Sequence, residues 1–294
     1  MKPFYLVETT TRDKLIHQGI FYRPENPGKK ALLWVHGLTS TFYGSIFPYE
    51  TLVSQCEKNG LGFAAFNNRG HDGITSIKKE DHRKTTGYHQ INGGAGFEIF
   101  KETIYDIDAG ISFLIRRGFT QIILLGHSTG ANKVCYYAGS EKDKRVVGVI
   151  LASPTSDRLN QKDKTKLAKD LQYMQELVNK GQGNELQIGL SFFPMTPKRY
   201  LSLFTPNSLE DQFDYGDPRP RMKYFSKIKQ PLLVILGSFD ESLDRPAKEV
   251  INVFDSYQNS SSYKSVIIKD ATHGYTGKEK EFVQHLFDWI TSLG

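Results

Sequence analysis

The segment Gly126-His127-Ser128-Thr129-Gly130 sets one serine between two glycines, directly after the apolar run QIILL at 121–125 and directly before a stretch of helical periodicity. A strand turning that sharply into a helix leaves no room for side chains at the flanking positions, and the turn lifts the serine hydroxyl clear of the sheet edge. The helix N-terminus behind it favours developing negative charge. The chemistry this suggests is nucleophilic attack by Ser128 on an acyl carbonyl. It requires a base, and an acid to orient the base.

For a serine on a strand–turn–helix elbow the acid and then the histidine follow in the chain. Two histidines lie downstream, His273 and His285. His285 falls within the helical repeat Phe282, Leu286, Trp289. His273 stands in Asp270-Ala271-Thr272-His273-Gly274, immediately after the apolar strand YKSVII, where loops of an open α/β sheet meet a ligand. His273 is therefore the expected base. The acid is expected in the loop after LLVIL, which reads Gly237-Ser238-Phe239-Asp240-Glu241-Ser242-Leu243-Asp244. Asp240 is the best placed; Asp244 and Glu241 stay open, and Asp270 is a weaker rival, since it lies too close in sequence to His273 to reach the far side of the ring easily. The oxyanion donors expected are the N–H of Thr129, next to the nucleophile, and an N–H from His36-Gly37-Leu38-Thr39-Ser40, with Leu38 first and Thr39 second. His36 precedes Ser128 and reads as a prop for that loop. His127 and Thr39 are the residues expected to face substrate, although a turn residue is the commoner role for His127. In Asn67-Asn68-Arg69-Gly70-His71-Asp72, Arg69 and Asp72 are expected to pair and pin a rim loop.

These residues need a scaffold that gathers loops at one edge. Phe4 to Tyr22 alternates loosely and reads as an antiparallel hairpin, closed by Asn26-Pro27-Gly28. Apolar runs of buried-strand type follow at 31–35, 61–66, 121–125, 146–151, 232–236 and 263–268, with helical patterns between them, such as Tyr49, Leu52, Val53, Cys56. Alternation of this kind predicts an α/β fold with a mostly parallel sheet covered on both faces. The stretch 154–230 breaks the rhythm. It has a polar helical region at 159–180 and a second around 197–204, and it reads as a helical cap inserted into a core formed by 1–153 and 231–294. Residues 71–96 read as an irregular loop at the same edge.

Taken together, H-G-L after an early strand, N-R-G-H-D after the next, G-H-S-T-G, G-S-F-D and A-T-H-G resemble the α/β-hydrolase family over nearly the whole chain. The resemblance implies an eight-stranded, mostly parallel sheet and a Ser/Asp/His triad at Ser128, Asp240 and His273. Gly94-Ala95-Gly96-Phe97-Glu98 and Met195-Thr196-Pro197-Lys198-Arg199-Tyr200-Leu201-Ser202-Leu203 further resemble a subgroup containing intracellular fungal siderophore esterases. That subgroup implies a bulky ester of a peptide-like or hydroxamate natural product as substrate.

Composition bounds the alternatives. The 294 residues are 38% hydrophobic and 24% charged, an ordinary globular balance. Two cysteines, Cys56 and Cys135, are too few for a disulfide framework, and neither a signal-type nor a membrane-spanning apolar stretch occurs, so a cytoplasmic protein is expected. The formal charge is +6, without a basic run or a nucleic-acid motif, which argues against nucleic-acid binding. Residues 155–229 hold 13 Lys+Arg against 9 Asp+Glu, read as solvated helix surface. His71, Asp72, His82 and His89 lack metal-ligand spacing, and no nucleotide-binding glycine motif follows a strand, so neither metal nor cofactor is expected. The expected activity is hydrolysis of a small-molecule carboxylic ester through an acyl-enzyme. The alternatives are a thioesterase or acyltransferase on a carrier-bound acyl group, with an acyl carrier protein as partner, and a non-catalytic ligand-binding relative.

Overall fold

The computed structural model describes residues 3–44 and 48–294. Ten strands form one sheet: β1 Tyr5–Thr10, β2 Leu15–Tyr22, β3 Lys30–Val35, β4 Gly62–Phe66, β5 Thr75–Glu80, β6 Tyr88–Gly93, β7 Gln121–His127, β8 Val146–Ala152, β9 Leu232–Gly237 and β10 Tyr263–Ile268. Their order is β10-β9-β8-β7-β3-β4-β2-β5-β6, with β1 paired to β2. The run from β4 through β3, β7, β8 and β9 to β10 is parallel throughout. The N-terminal hairpin and the β5–β6 hairpin are antiparallel.

The sheet therefore carries more than the eight strands expected. The difference lies largely in 71–96, read as an irregular loop. Its strands TSIKKE and YHQING are polar and half-exposed at the sheet edge, so they lack the apolar run that marks a buried strand.

Alternation along the central strands divides the core. Ala31, Leu33 and Val35 face one layer with Leu124, Val149 and Val234, covered by α2 (Thr103–Arg116), α3 (Thr129–Ser140) and α6 (Ala247–Tyr257). Leu32 and Trp34 face the other with Ile123, Leu125 and Ile235, covered by α1 (Tyr49–Lys58) and α7 (Glu279–Ser292). Between β8 and β9 lie α4 (Lys164–Asn179) and α5 (Pro197–Phe204), each capped at its N-terminus by a side chain, Asp163 and Thr196. They pack on each other through Leu167, Met174, Leu177, Tyr200 and Leu203, a third apolar cluster that also takes in Leu38 and Ala95. The return segment behaves differently: Phe213, Tyr215, Met222, Phe225 and Ile228 join the main core. No helix among the described residues is long and apolar enough to cross a membrane.

Candidate active site

Parallel register brings the working loops to one edge. Val35 pairs with Gly126, Gly126 with Leu151, Ala152 with Ile235 and Gly237 with Ile268, so β3, β7, β8, β9 and β10 all end together. The loops after them carry Leu38, Ser128, the entry to the α4–α5 segment, Asp240 and His273, at the carboxyl edge where open α/β sheets bind ligands.

Ser128 sits between β7 and α3 at φ 57 and ψ −130, outside the regions side chains prefer. The flanking glycines are sterically required. A Cβ on Gly126 would lie 2.3 Å from the Gly130 carbonyl oxygen, and one on Gly130 would lie 2.1 Å from that of Val35. The β3 loop crosses directly over the serine: a Cβ on Gly37 would lie 2.8 Å from Ser128 Cβ and 3.3 Å from its Oγ. The backbone N–H groups of Leu38 and Thr129 have no acceptor among the described residues, which leaves both available to an incoming oxygen. Thr39, half-buried in the same loop, has φ 56.

His273 Nδ1 lies 2.8 Å from Asp240 Oδ1, which also accepts the Ser242 N–H at 3.0 Å. Burial disfavours the charged imidazole, but the Asp240 hydrogen bond and charge outweigh it and raise the His273 pKa above its ordinary value. The competing acids are occupied elsewhere. Glu241 accepts the backbone N–H of His273 at 3.0 Å, and Asp244 pairs with Arg245. Among the described residues no hydrogen bond joins Ser128 Oγ to His273, a contact that commonly tightens only with substrate bound.

His127 packs against the His273 loop. Its Nε2 donates to the His273 carbonyl at 2.9 Å, and the two rings lie 5.1 Å apart. Burial, with the neighbouring His273 adding to it, lowers its pKa to about 4, so the ring stays neutral. Ser153 Oγ reaches the same carbonyl at 3.0 Å, and Tyr275 braces Ser153 while donating to the Ile235 carbonyl. The sequence reading missed Ser153 and Tyr275, which lie in ordinary loop sequence.

His36 props the Gly37–Leu38 turn after β3. It is fully buried, its Nδ1 donates to the Gly37 carbonyl at 2.9 Å, and its Nε2 accepts the Asn68 N–H at 3.0 Å. Arg69 and Asp72 do not pair. Arg69 binds Asp106, Glu102 and Asp13, while Asp72 bonds His71 at 2.8 Å. Arg69 turns inward because Asp106, already held 3.0 Å from buried His17, offers a carboxylate where no water can solvate it.

A second group escaped the sequence reading. Lys133 on α3 lies 2.6 Å from Glu98, whose other oxygen is 3.2 Å from Arg199 on α5, and Arg199 also pairs with Glu210. All four side chains are essentially inaccessible. Lys133 further donates to Asn68 at 3.0 Å, and Asn132 on the same helix donates to the Glu210 carbonyl at 3.2 Å. The available signal was a lysine in a helical stretch whose chain neighbours Ala131, Val134 and Cys135 are apolar.

The architecture recurs in solved structures. The chain is similar to the siderophore hydrolase EstB from Aspergillus fumigatus, with 16% identity and a TM-score of 0.69 over 99% of this chain and 98% of that one. It is similar to the esterase PF2001 of Pyrococcus furiosus, with 18% identity and a TM-score of 0.62 over 99% and 91%. It is also similar to Est1E from Butyrivibrio proteoclasticus bound to ferulic acid, with 15% identity and a TM-score of 0.64 over 97% and 98%. No curated protein matches the chain in sequence. With an α/β-hydrolase fold established, and a family profile matching residues 92–293, the chain belongs to the protein family of unknown function DUF1749.

Proposed function

We propose that this protein is a serine hydrolase of small-molecule carboxylic esters, with Ser128 as nucleophile, His273 as base and Asp240 as orienting acid. The observation that carries the reading is the 2.8 Å His273–Asp240 contact on the loops that flank a strained Ser128 elbow. His273 Nε2 takes the proton of Ser128 as Oγ attacks the acyl carbonyl. Asp240 holds Nδ1 protonated and stabilises the imidazolium. The Thr129 and Leu38 N–H groups receive the oxyanion. Collapse of the tetrahedral intermediate passes the proton from His273 to the departing alcohol, and water then releases the acyl group by the same roles in reverse. Thr39 is assigned to the substrate side, and His127 to holding the base loop. Within 154–230 the α4–α5 part acts as a cap, supported by the packing of Leu38 within its cluster, while Phe213 to Ile228 packs with the main core.

Ester-cleaving neighbours with little sequence identity support the class and leave the natural ester open. The test is fluorophosphonate labelling with peptide mapping, paired with hydrolysis of 4-nitrophenyl butanoate. Label on Ser128 and a loss of at least about 10³-fold in Ser128→Ala are expected. Turnover unchanged in that variant would remove the serine mechanism.

A further inference from the structure

A cavity of about 350 Å³ opens between α5 and the segment 97–101 that leads into α2. No described residue in the loops after β3, β7, β9 or β10 lines it, so the mechanism above makes no use of it. Its size is at the small end of ligand cavities, which run from about 300 to 1,000 Å³. Phe97, Ile99 and Phe100 supply apolar wall from the core, and Leu209 supplies it from beyond α5. Ile99 is 51% exposed, so an apolar group laid against it would remove hydrophobic surface from water.

The charged part of the lining is mostly positive: Lys101, Lys198 and Arg199 stand against one acid, Glu98. Glu98 and Arg199 are buried and already matched. Glu98 meets Lys133 and Arg199, and Arg199 also meets Glu210. That set is two cations and two glutamates, so the uncompensated charge is that of Lys101 and Lys198. Both are exposed at the mouth, and no acidic side chain pairs with either among the described residues. The neighbouring glutamates are engaged elsewhere: Glu102 pairs with Arg69, and Glu185 accepts from Gln182. Lys198 is kept beside the cavity by close packing on Gly183, where an added Cβ would lie 3.0 Å from its Cε.

We infer that this cavity binds a small carboxylate with a compact apolar body. Lys101 and Lys198 receive the carboxylate, while Phe97, Ile99, Phe100 and Leu209 cover the body. A cation would meet two lysines and a glutamate already shared by two cations. A neutral apolar ligand would leave both lysines unneutralised. A single carboxylate offers one oxygen to each lysine and matches the apolar walls behind them. Such a ligand would touch both the core segment 97–101 and α5, the helix that Arg199 fixes in place. The inference goes beyond the ester-hydrolase reading and does not depend on it.

The experiment is calorimetric titration of 4-phenylbutanoate and its neutral isostere 4-phenylbutanamide at pH 7.5 and low salt. The proteins are the wild type, Lys101→Gln/Lys198→Gln and Ile99→Ser, all changed only at exposed positions. The wild type is expected to bind the carboxylate at least about five-fold more tightly than the amide, and the double variant to lose that preference. Ile99→Ser is expected to weaken both ligands by about three-fold and to leave their ratio unchanged. Equal affinities in the wild type, or no binding of the carboxylate, overturn the inference. So does a preference that survives loss of both lysines, which would put the carboxylate elsewhere, as at the proposed oxyanion donors. Affinities unchanged in Ile99→Ser overturn it too, because the apolar body would then not lie in this cavity.

Discussion

Replacing Asp240 by asparagine separates the charge of the acid from its geometry. In the structure Asp240 Oδ1 accepts from both His273 Nδ1 and the Ser242 N–H, while Oδ2 is buried without a partner. The Ser242 N–H needs an acceptor, so the asparagine carbonyl takes the Oδ1 position and its NH2 takes the empty Oδ2 slot. His273 then keeps its tautomer and its hydrogen bond, and what is lost is the negative charge facing the imidazolium. Two unit charges about 4 Å apart at an effective dielectric of 20 interact by about 4 kcal/mol. The amide dipole retains part of this, so kcat/KM for Asp240→Asn is expected to fall by roughly 30- to 1000-fold. The pH profile moves as well. His273 works only when neutral, so kcat/KM falls as pH drops through its raised pKa. Without the carboxylate, burial lowers that pKa, and the acid limb shifts to lower pH. The assay is kcat/KM on 4-nitrophenyl butanoate between pH 5 and 9. An acid limb that stays in place, or activity unchanged, would refute Asp240 as the partner of His273 and reopen Glu241 and Asp244.

Two further outcomes follow from contacts behind the site. Lys133→Met leaves Glu98 and Glu210 sharing the single cation Arg199 and takes a donor from Asn68 in a buried setting; a loss of about 3–5 kcal/mol is expected, read as a Tm drop on the order of 10 °C, whereas an unchanged Tm would show that Glu98 is solvated after all. His127→Phe removes one of two hydrogen bonds to the His273 carbonyl while filling the ring's place, so kcat should fall about ten-fold at nearly constant KM. A rise in KM alone would return His127 to the substrate side.

The proposed nucleophile, base and acid could be picked out in the sequence because each choice follows a local rule. An apolar run ends, a loop begins, and the loop's chemistry is visible within a few residues. The central strands were legible for the same reason, since burial on both faces leaves a continuous apolar run. The β5–β6 hairpin was not, because an edge strand such as TSIKKE has no buried face to pattern it. Arg69 was assigned the wrong partner because sequence proximity to Asp72 says nothing of Asp106, 37 residues away, which α2 carries into the same buried space. The cap charges misled in the same way. Arg199 reads as one more cation on a basic helix, and only the fold shows it fully buried against Glu98 and Glu210.

The placement of those buried charges bears on how the α4–α5 segment is held. Apolar packing would bury the same volume at less desolvation cost, so the Lys133–Glu98–Arg199–Glu210 chain is a poor device for stability alone. What it adds is register. Apolar surfaces can slide by a side-chain width and still pack, whereas Arg199 is satisfied only where Glu98, Glu210 and the Ala95 carbonyl converge. Lys133 carries that constraint into the helix whose first residue follows Ser128, and Asn68 passes it to His36 and the oxyanion loop, since Asn68 bonds Lys133 through its Oδ1 and His36 through its own N–H and Nδ2. One hydrogen-bonded path therefore links α5, α3 and the Gly37–Leu38 turn. A displaced α5 would unpair buried charges shared with α3, so the position of the insertion and that of the Gly37–Leu38 turn are set together.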